Sequence, residues 1–389
     1  MKILQALDLF CPAAGGTADV MHRLSQALTD RGHEVTVYAS NKDYDQKYVD
    51  ALRGVRVRPF ASWLNPGGFI IMPGVISAAR SELHDYDVVH AHTTRGFLNM
   101  VLYFYTRRFG VPFIIDAHGS TLRRVNAGVK RLFDAAFGHR ILRGATRVIA
   151  ENRVGVEEYL SVGVPPERIA TIYPPLPVED YQELPARGRF RARFGLGDRP
   201  VVLYLGRIAQ QKGVDFLATG FARLTGRRDD CVLVIAGPDW GYRPELERMI
   251  AELGVRDRVI FTGYIDGGNK LSALVDADVV VQPSRYEYAL SWACAEALLC
   301  GTPIVVTSGT GAAEDVENMK AGYLVASGND EELAGILAGI IDDPSEARVR
   351  AAAGRDYIRK NLSMSSRVQD YEALYQECID ESRRLGKRA

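Results

Sequence analysis

The sequence predicts an α/β protein built from two doubly wound parallel-sheet domains, and three observations carry that prediction. Short unbroken runs of β-branched residues recur along the chain and alternate with helical segments, which is how parallel strands covered on both faces read. A proline-rich connection, ERIATIYPPLPVEDYQELPARGRF, interrupts the alternation near residue 180. In the second half, Val279–Val281 and Ile304–Val306 bracket a turn and an apolar helical segment that hold the only carboxylates of that stretch, Glu287 and Glu296. At 389 residues, with 47% hydrophobic and 25% charged residues, the chain is long enough for two globular domains. The expected division is 1–180, 181–364 and a closing helix, 365–389.

The first half opens with a strand at Lys2–Leu7, a loop holding Gly15 and Gly16, a helix at Ala18–Asp30 ended by Arg31 and Gly32, and a strand at Glu34–Ala39. A dinucleotide-binding enzyme would place GxGxxG in that loop; only the adjacent glycine pair is present, so the signal for NAD is weak. Further strands read at Val55–Val57, Val88–His92 and Phe113–Asp116. DVVHAH and PFIIDAHGS each end a buried run with a histidine, and at a strand end a structural role is the default reading, which we give to His92. From Leu122 to Arg147 the cations Arg123, Arg124, Lys130, Arg131, Arg140, Arg143 and Arg147 face one acid, Asp134, and interleave with apolar residues at near-helical spacing. Such a stretch is either a solvated helix face or a surface that meets anionic lipid head groups or a phosphate-bearing lipid acceptor.

The second half resumes with a strand at Val201–Leu205, followed by Arg207 and Lys212 across a loop whose Gly213 opens a helix. Two cations beside a helix N-terminus suit a diphosphate; the bland alternative is two ordinary surface cations. CVLVIAGP, RVIFTGYI and DVVVQPS supply three more strands. Asp276-Ala-Asp278 has the form of a metal-binding DxD motif, but its place directly before a buried strand favours a helix end, so no metal site is expected there. Pro283 and Ser284 end the strand, and a helix reads from Ala289 to Cys300, with Gly301 as its cap and Pro303 beyond. Glu296 in that helix either caps a surface face or accepts hydrogen bonds from ligand hydroxyls. SGTGAAEDV adds Gly309, Gly311 and Glu314, and Val368, Tyr371, Leu374, Tyr375, Cys378 and Ile379 mark a final amphipathic helix.

Composition excludes several classes. Lysines plus arginines equal aspartates plus glutamates, so nothing points to nucleic acid. No apolar run reaches the roughly 18 residues of a membrane span, and the N-terminus runs into a strand rather than a signal peptide. Five cysteines without a CxxC pair suggest neither a disulfide framework nor a zinc site, and a reducing cytoplasm is the expected location.

PSRYEYALSWACAEALLCGTPIVV resembles the nucleotide-diphosphosugar signature of the retaining glycosyltransferases of family 4. GGTADVMHRLSQALTDRGHEVTVYA, AHGS, GR....KG and the GTG loop occur in the family's order, so the resemblance covers nearly the whole chain. It implies the GT-B fold, two Rossmann-like domains facing a central cleft. It also implies transfer of a sugar from a UDP- or GDP-linked donor to an acceptor hydroxyl, with no metal or cofactor, in polysaccharide or lipid-linked glycan synthesis. By the same resemblance, Gly15 and Gly16 approach the donor phosphates or the acceptor, and His118 lies against the donor sugar and helps stabilise positive charge at its anomeric centre, with Asp116 a secondary candidate. Arg207 and Lys212 hold the diphosphate, Tyr264 and Ile265 line the nucleobase, and Glu296 holds the ribose. Glu287, or the backbone after it at Tyr288, Ala289 and Leu290, orients the sugar. Two departures stand out. Pro174 and Pro175 replace the family's usual Asn-Gly, and eight residues, Tyr288 to Ala295, separate the two glutamates, one more than the family spacing. Either the turn carries an extra residue or Tyr288 takes the first glutamate's register. That change leaves a competing expectation, a non-catalytic sugar-nucleotide-binding partner subunit. No general base is evident, in keeping with the family's proposed same-face mechanism, in which the leaving phosphate receives the acceptor's proton.

Overall fold

The computed structural model describes residues 1–65, 69–118, 133–265 and 267–386. The chain divides into two compact units, one made of Met1–Pro175 with Met364–Ala389 and the other of Leu176–Ser363.

The first unit is a seven-stranded parallel sheet: β1 (Lys2–Ala6), β2 (Glu34–Ser40), β3 (Arg56–Phe60), β4 (Val88–Ala91), β5 (Phe113–Asp116), β6 (Arg147–Ala150) and β7 (Ile169–Thr171), in the order β3-β2-β1-β4-β5-β6-β7. The order changes direction between β1 and β4. At such a switch point the loops at the carboxyl ends of the two strands part and leave a crevice. The helix Met364–Gly386 belongs to this unit. Its Val368, Tyr371, Leu374, Tyr375, Cys378 and Ile379 form a buried stripe against Ile3, Val35, Val88, Ile114 and Ile149 of the sheet.

The second unit is a six-stranded parallel sheet: β8 (Val201–Leu205), β9 (Val232–Ala236), β10 (Val259–Gly263), β11 (Val279–Gln282), β12 (Ile304–Thr307) and β13 (Tyr323–Val325), in the order β10-β9-β8-β11-β12-β13. Here the switch point lies between β8 and β11. The edge strands β7 and β13 are three residues each and only partly buried, so neither carries the continuous apolar run that marks the central strands.

One expected element is shorter than its sequence suggests. The helix after β11 runs from Trp292 to Leu299 rather than from Ala289 to Cys300. Ser291 caps it, its hydroxyl accepting from the Cys294 N–H at 3.3 Å, and the Leu290 N–H is already given to the Asp315 carboxylate at 2.7 Å. A backbone donor committed outside the helix holds Ala289–Ser291 in the turn.

Candidate active site

In the second unit the loop after β8 and the turn after β11 meet across the switch point. Gly213 takes a left-handed conformation, φ 66°, and a Cβ there would lie 1.9 Å from the Pro283 carbonyl oxygen, so only glycine lets the two segments approach. Lys212, just before it, forms an ion pair through Nζ with Glu287 Oε1. Both side chains are nearly buried, at 11% and 8% exposure. The Glu287 carboxylate also lies 3.3 Å from the Ser284 hydroxyl and 3.4 Å from Gln282 Nε2. A carboxylate this deep is costly to bury without such partners. Between the two glutamates the longer turn is pinned from the next element: the Glu287 carbonyl accepts from the Gly311 N–H at 2.8 Å, and Asp315 holds Leu290. Glu287 thus presents its carboxylate to Lys212, while Tyr288 and Leu290 are buried and Ala289 is half-buried. The helix starting at Val214 opens beside Lys212 with no side chain capping it, and the helices at Trp292 and Gly311 start on the neighbouring loops.

Arg207 follows β8 after Gly206. Its carbonyl accepts from the buried Tyr204 hydroxyl at 2.7 Å, and its guanidinium lies over the Trp240 ring, 4.3 Å from the centroid. Trp240 comes from the loop after β9. That loop is drawn in at Gly237, where a Cβ would lie 1.8 Å from the Gly206 carbonyl oxygen. Tyr264, which follows β10, is 67% exposed, and Ile265 beside it is half-buried. Glu296 is not a surface cap: it is buried, with Oε1 2.6 Å from Lys270 Nζ. The Tyr181 phenol hydrogen-bonds to it, and burial together with that carboxylate pushes the phenol's pKa far above its ordinary value.

In the first unit, Gly15 precedes the helix Gly16–Asp30 with φ 83°, and a Cβ on it would meet no atom within 4 Å. The space above that helix start is open. His118 follows β5 and turns its ring inward. Nδ1 is 3.2 Å from Glu151 Oε1 and 3.4 Å from Asp116 Oδ1, and Nε2 is 3.0 Å from His92 Nδ1. Burial opposes a charge on the imidazole, but the Asp116 carboxylate and the Glu151 hydrogen bond outweigh it, and the His118 pKa is raised. Burial, reinforced by the Glu151 charge and offset in part by His118, pushes the Asp116 carboxyl up to about 7. The three residues offer ligand atoms within 4.8 Å of one another and so have the spacing of a metal site; Asp116 Oδ1 accepts from the His118 backbone N–H and Glu151 Oε1 meets His118 Nδ1, while Asp116 Oδ2 is buried with no hydrogen-bond partner among the described residues.

Several residues of these clusters escape a reading of the sequence. Lys270 and Tyr181 lie far from Glu296 along the chain, and nothing local marks them. Glu151 had a signal, a carboxylate at the carboxyl end of a buried run, and Gln282 and Ser284 flank the proline that ends β11. Asp276 accepts the backbone N–H groups of Gly188, Phe190 and Arg191 at 2.5, 2.7 and 3.0 Å, and Asp278 pairs with Arg187 and Arg191 at 2.5 and 2.8 Å. The DxD carboxylates thus tie a helix start to β8. In the basic stretch, residues 122–132 lie outside the described residues. Of the rest, Arg147 is paired with Glu377 and Glu381 at 2.6 and 2.8 Å, whereas Arg140, Arg143 and Phe137 are exposed.

Comparison with known proteins places these features in context. The family model described as "Glycosyl transferases group 1" matches residues 187–357, and "Glycosyl transferase 4-like domain" matches residues 15–175. Alpha-D-kanosaminyltransferase of Streptomyces kanamyceticus is 30% identical over 301 residues, covering 74% of this chain and 77% of that protein. The GDP-mannose-dependent alpha-(1-6)-phosphatidylinositol monomannoside mannosyltransferase of Mycolicibacterium smegmatis is 28% identical over 384 residues, covering 92% and 94%. Among solved structures, Anabaena HepE in complex with UDP superimposes with a TM-score of 0.80 at 22% identity, over 97% of this chain and 100% of that one.

Proposed function

Because the chain belongs to the glycosyl transferases group 1, and is thereby a GT-B glycosyltransferase that uses a nucleotide sugar, we propose that it transfers a sugar from a UDP- or GDP-linked donor to an acceptor hydroxyl with retention of configuration and without a metal ion. The observation that carries this reading is the buried Lys212–Glu287 pair at the switch point of the second sheet, with Arg207 on the same loop after β8. Breaking the bond between sugar and diphosphate leaves negative charge on the phosphate. Arg207, Lys212 and the uncapped start of the helix at Val214 answer that charge with fixed donors, which is where electrostatic catalysis gains most. Ion pairing with Glu287 holds the Lys212 ammonium in place before the donor arrives, so little reorganisation is needed in the transition state. Glu287 orients sugar hydroxyls, Glu296 takes ribose hydroxyls, and Tyr264 and Ile265 flank the base. His118 supplies a charge partner for the sugar. The relatives' names support both donor types: one is GDP-mannose-dependent and HepE was solved with UDP.

The test is a thermal-shift panel of UDP, GDP, ADP and NAD, each with and without a chelator, followed by transfer assays with the matching sugar nucleotides. Stabilisation by one nucleoside diphosphate, unaffected by chelator, is the expected result. Stabilisation by NAD alone would sink the reading. Stabilisation without turnover on any acceptor would favour a sugar-nucleotide-binding partner subunit.

A cytoplasmic enzyme in peripheral contact with the membrane, acting on a glycan or lipid-linked acceptor, completes the proposal. No helix among the described residues is long and apolar enough to cross a membrane. Supporting a peripheral contact, Phe104 and Phe137 are exposed, with Arg107, Arg108, Arg140 and Arg143 exposed on the same two helical segments or directly after them. Charge reversal at Arg123, Arg124, Lys130 and Arg131 is expected to reduce sedimentation with anionic vesicles by roughly tenfold; unchanged sedimentation would remove the membrane contact.

A further inference from the structure

We infer that Tyr375, Gln5 and His92 are positioning residues that fix a proton on Nε2 of His118, so that this imidazole serves as an N–H donor and cannot act as a base through that nitrogen. The inference rests on His118 being a residue of the transfer site. It is drawn wholly within the first unit, from a chain of hydrogen bonds that runs from the end of β5 to the C-terminal helix.

The direction of that chain follows from its chemistry. His118 Nε2 is 3.0 Å from His92 Nδ1, and the two rings are within 9° of parallel. His92 Nε2 is 2.5 Å from Gln5 Oε1, an atom that only accepts, so the His92 proton sits on Nε2 and its Nδ1 is left as an acceptor. His118 must then donate to it. Gln5 Nε2 donates to the Tyr375 hydroxyl at 3.2 Å, and that hydroxyl lies 2.7 Å from His90 Nδ1. The links from His118 to Tyr375 point the same way, and a chain of this kind strengthens each of its bonds.

The surroundings supply the reason for a second proton. His118 Nδ1 faces Glu151 and Asp116, so both ring nitrogens meet acceptors, which suits the imidazolium. Burial drives His92 the other way: buried, and beside His90 and His118, its pKa lies well below the ordinary value, and it stays the neutral acceptor the chain requires. Among the described residues, the titratable groups facing the pair are Asp116 from β5, Glu151 after β6, His90 from β4, and Tyr371 and Tyr375 from the C-terminal helix. Both hydroxyl-bearing rings of that helix are fully buried, and only Tyr375 belongs to the hydrogen-bonded chain.

The consequence is chemical. A His118 that carries protons on both nitrogens offsets at most one negative charge of the Asp116 and Glu151 carboxyls beside it, and it has no lone pair with which to take the acceptor's proton. Linkage sets the sign of the pH dependence. Because the folded-state pKa is raised, the stabilisation from the charged ring is fully present below the unfolded value and is lost as pH rises through the folded one.

Nitrogen-15 NMR of the full chain labelled at histidine reads the protonation of each ring nitrogen directly, without substrate. In the wild type, His118 is expected to show both nitrogens protonated and His92 Nε2 alone. His92→Leu removes the acceptor and is expected to lower the His118 midpoint by about one pH unit or more. His92→Asn, whose amide oxygen falls near the Nδ1 position, restores it, and the mild variant Tyr375→Phe gives a smaller fall in the same direction should the leucine variant not fold. In steady-state assays His92→Leu is expected to lower kcat roughly tenfold and leave KM for the sugar nucleotide within about twofold. A proton on His118 Nδ1 alone, or an unmoved midpoint in both His92→Leu and Tyr375→Phe, would overturn the inference. Absence of wild-type turnover with every sugar nucleotide would instead strike the transferase reading, and the NMR result would still decide the chain.

Discussion

Replacing Lys212 with alanine is expected to lower turnover by roughly 100-fold, the scale of losing one preorganised donor to a developing anion. The argument begins with burial. Lys212 and Glu287 are both nearly excluded from water, so each is the other's principal charge partner. Deleting the cation leaves the Glu287 carboxylate with the Ser284 hydroxyl and the Gln282 amide, neither of which carries charge. Stability should therefore fall as well, by about 3–5 kcal/mol for a buried charge stripped of its partner. The double variant Lys212→Met/Glu287→Gln separates the two effects. It removes the stranded charge, so its melting temperature should recover most of the loss while turnover stays low. Turnover that recovered together with stability would show that Lys212 acts only as a structural counter-ion, and the diphosphate role would have to be abandoned.

Glu296→Ala is expected to weaken binding of the preferred nucleoside diphosphate by at least about tenfold, because hydrogen bonds from hydroxyls to a carboxylate contribute about 1.5–3 kcal/mol. The structure sharpens this expectation by showing what the carboxylate already does. It pairs with Lys270 and accepts from Tyr181, so the substitution also strands an ammonium that is 31% exposed and can turn to solvent. The stability cost should accordingly be smaller than at Lys212. Lys270→Met removes the pairing and keeps the carboxylate, and it should leave nucleotide affinity within a few-fold. Calorimetry on the two variants decides the matter. If Glu296→Ala binds as tightly as the wild type, the carboxylate is a staple between two elements and touches no ligand.

Much of this arrangement was legible in the sequence because its causes are local. A buried parallel strand must be apolar on both faces, so β8, β9, β11 and β12 declare themselves as runs of valine, leucine and isoleucine. Gly213 is likewise readable, since a left-handed residue opening a helix after two cations has few alternatives. The edge strands β7 and β13 were not readable, because a strand covered on one side only needs no continuous apolar run. Neither was the start of the helix at Trp292, which depends on an aspartate two dozen residues later taking the Leu290 N–H.

His92 shows the same limit at the site. By sequence it is a histidine at a strand end, and the structural reading follows from residue type alone. In the folded chain it is the link between His118 and Gln5, a role assembled from three strand ends and the last helix. Glu287 is a parallel case. Spacing leaves its register open between two residues, and its pairing with Lys212, 75 residues away along the chain, is visible only in the fold.

The sequence by itself determined the two parallel-sheet domains and the family, and named the residues proposed to answer a diphosphate, because strand burial, glycine conformation and motif order are properties of contiguous segments. Only the tertiary structure decided which charge meets which. Lys212 with Glu287, Lys270 and Tyr181 with Glu296, and the chain from His118 to Tyr375 all join residues distant along the chain. The strength of each depends on the shared loss of water that burial imposes, and burial is a property of the packed whole rather than of any segment.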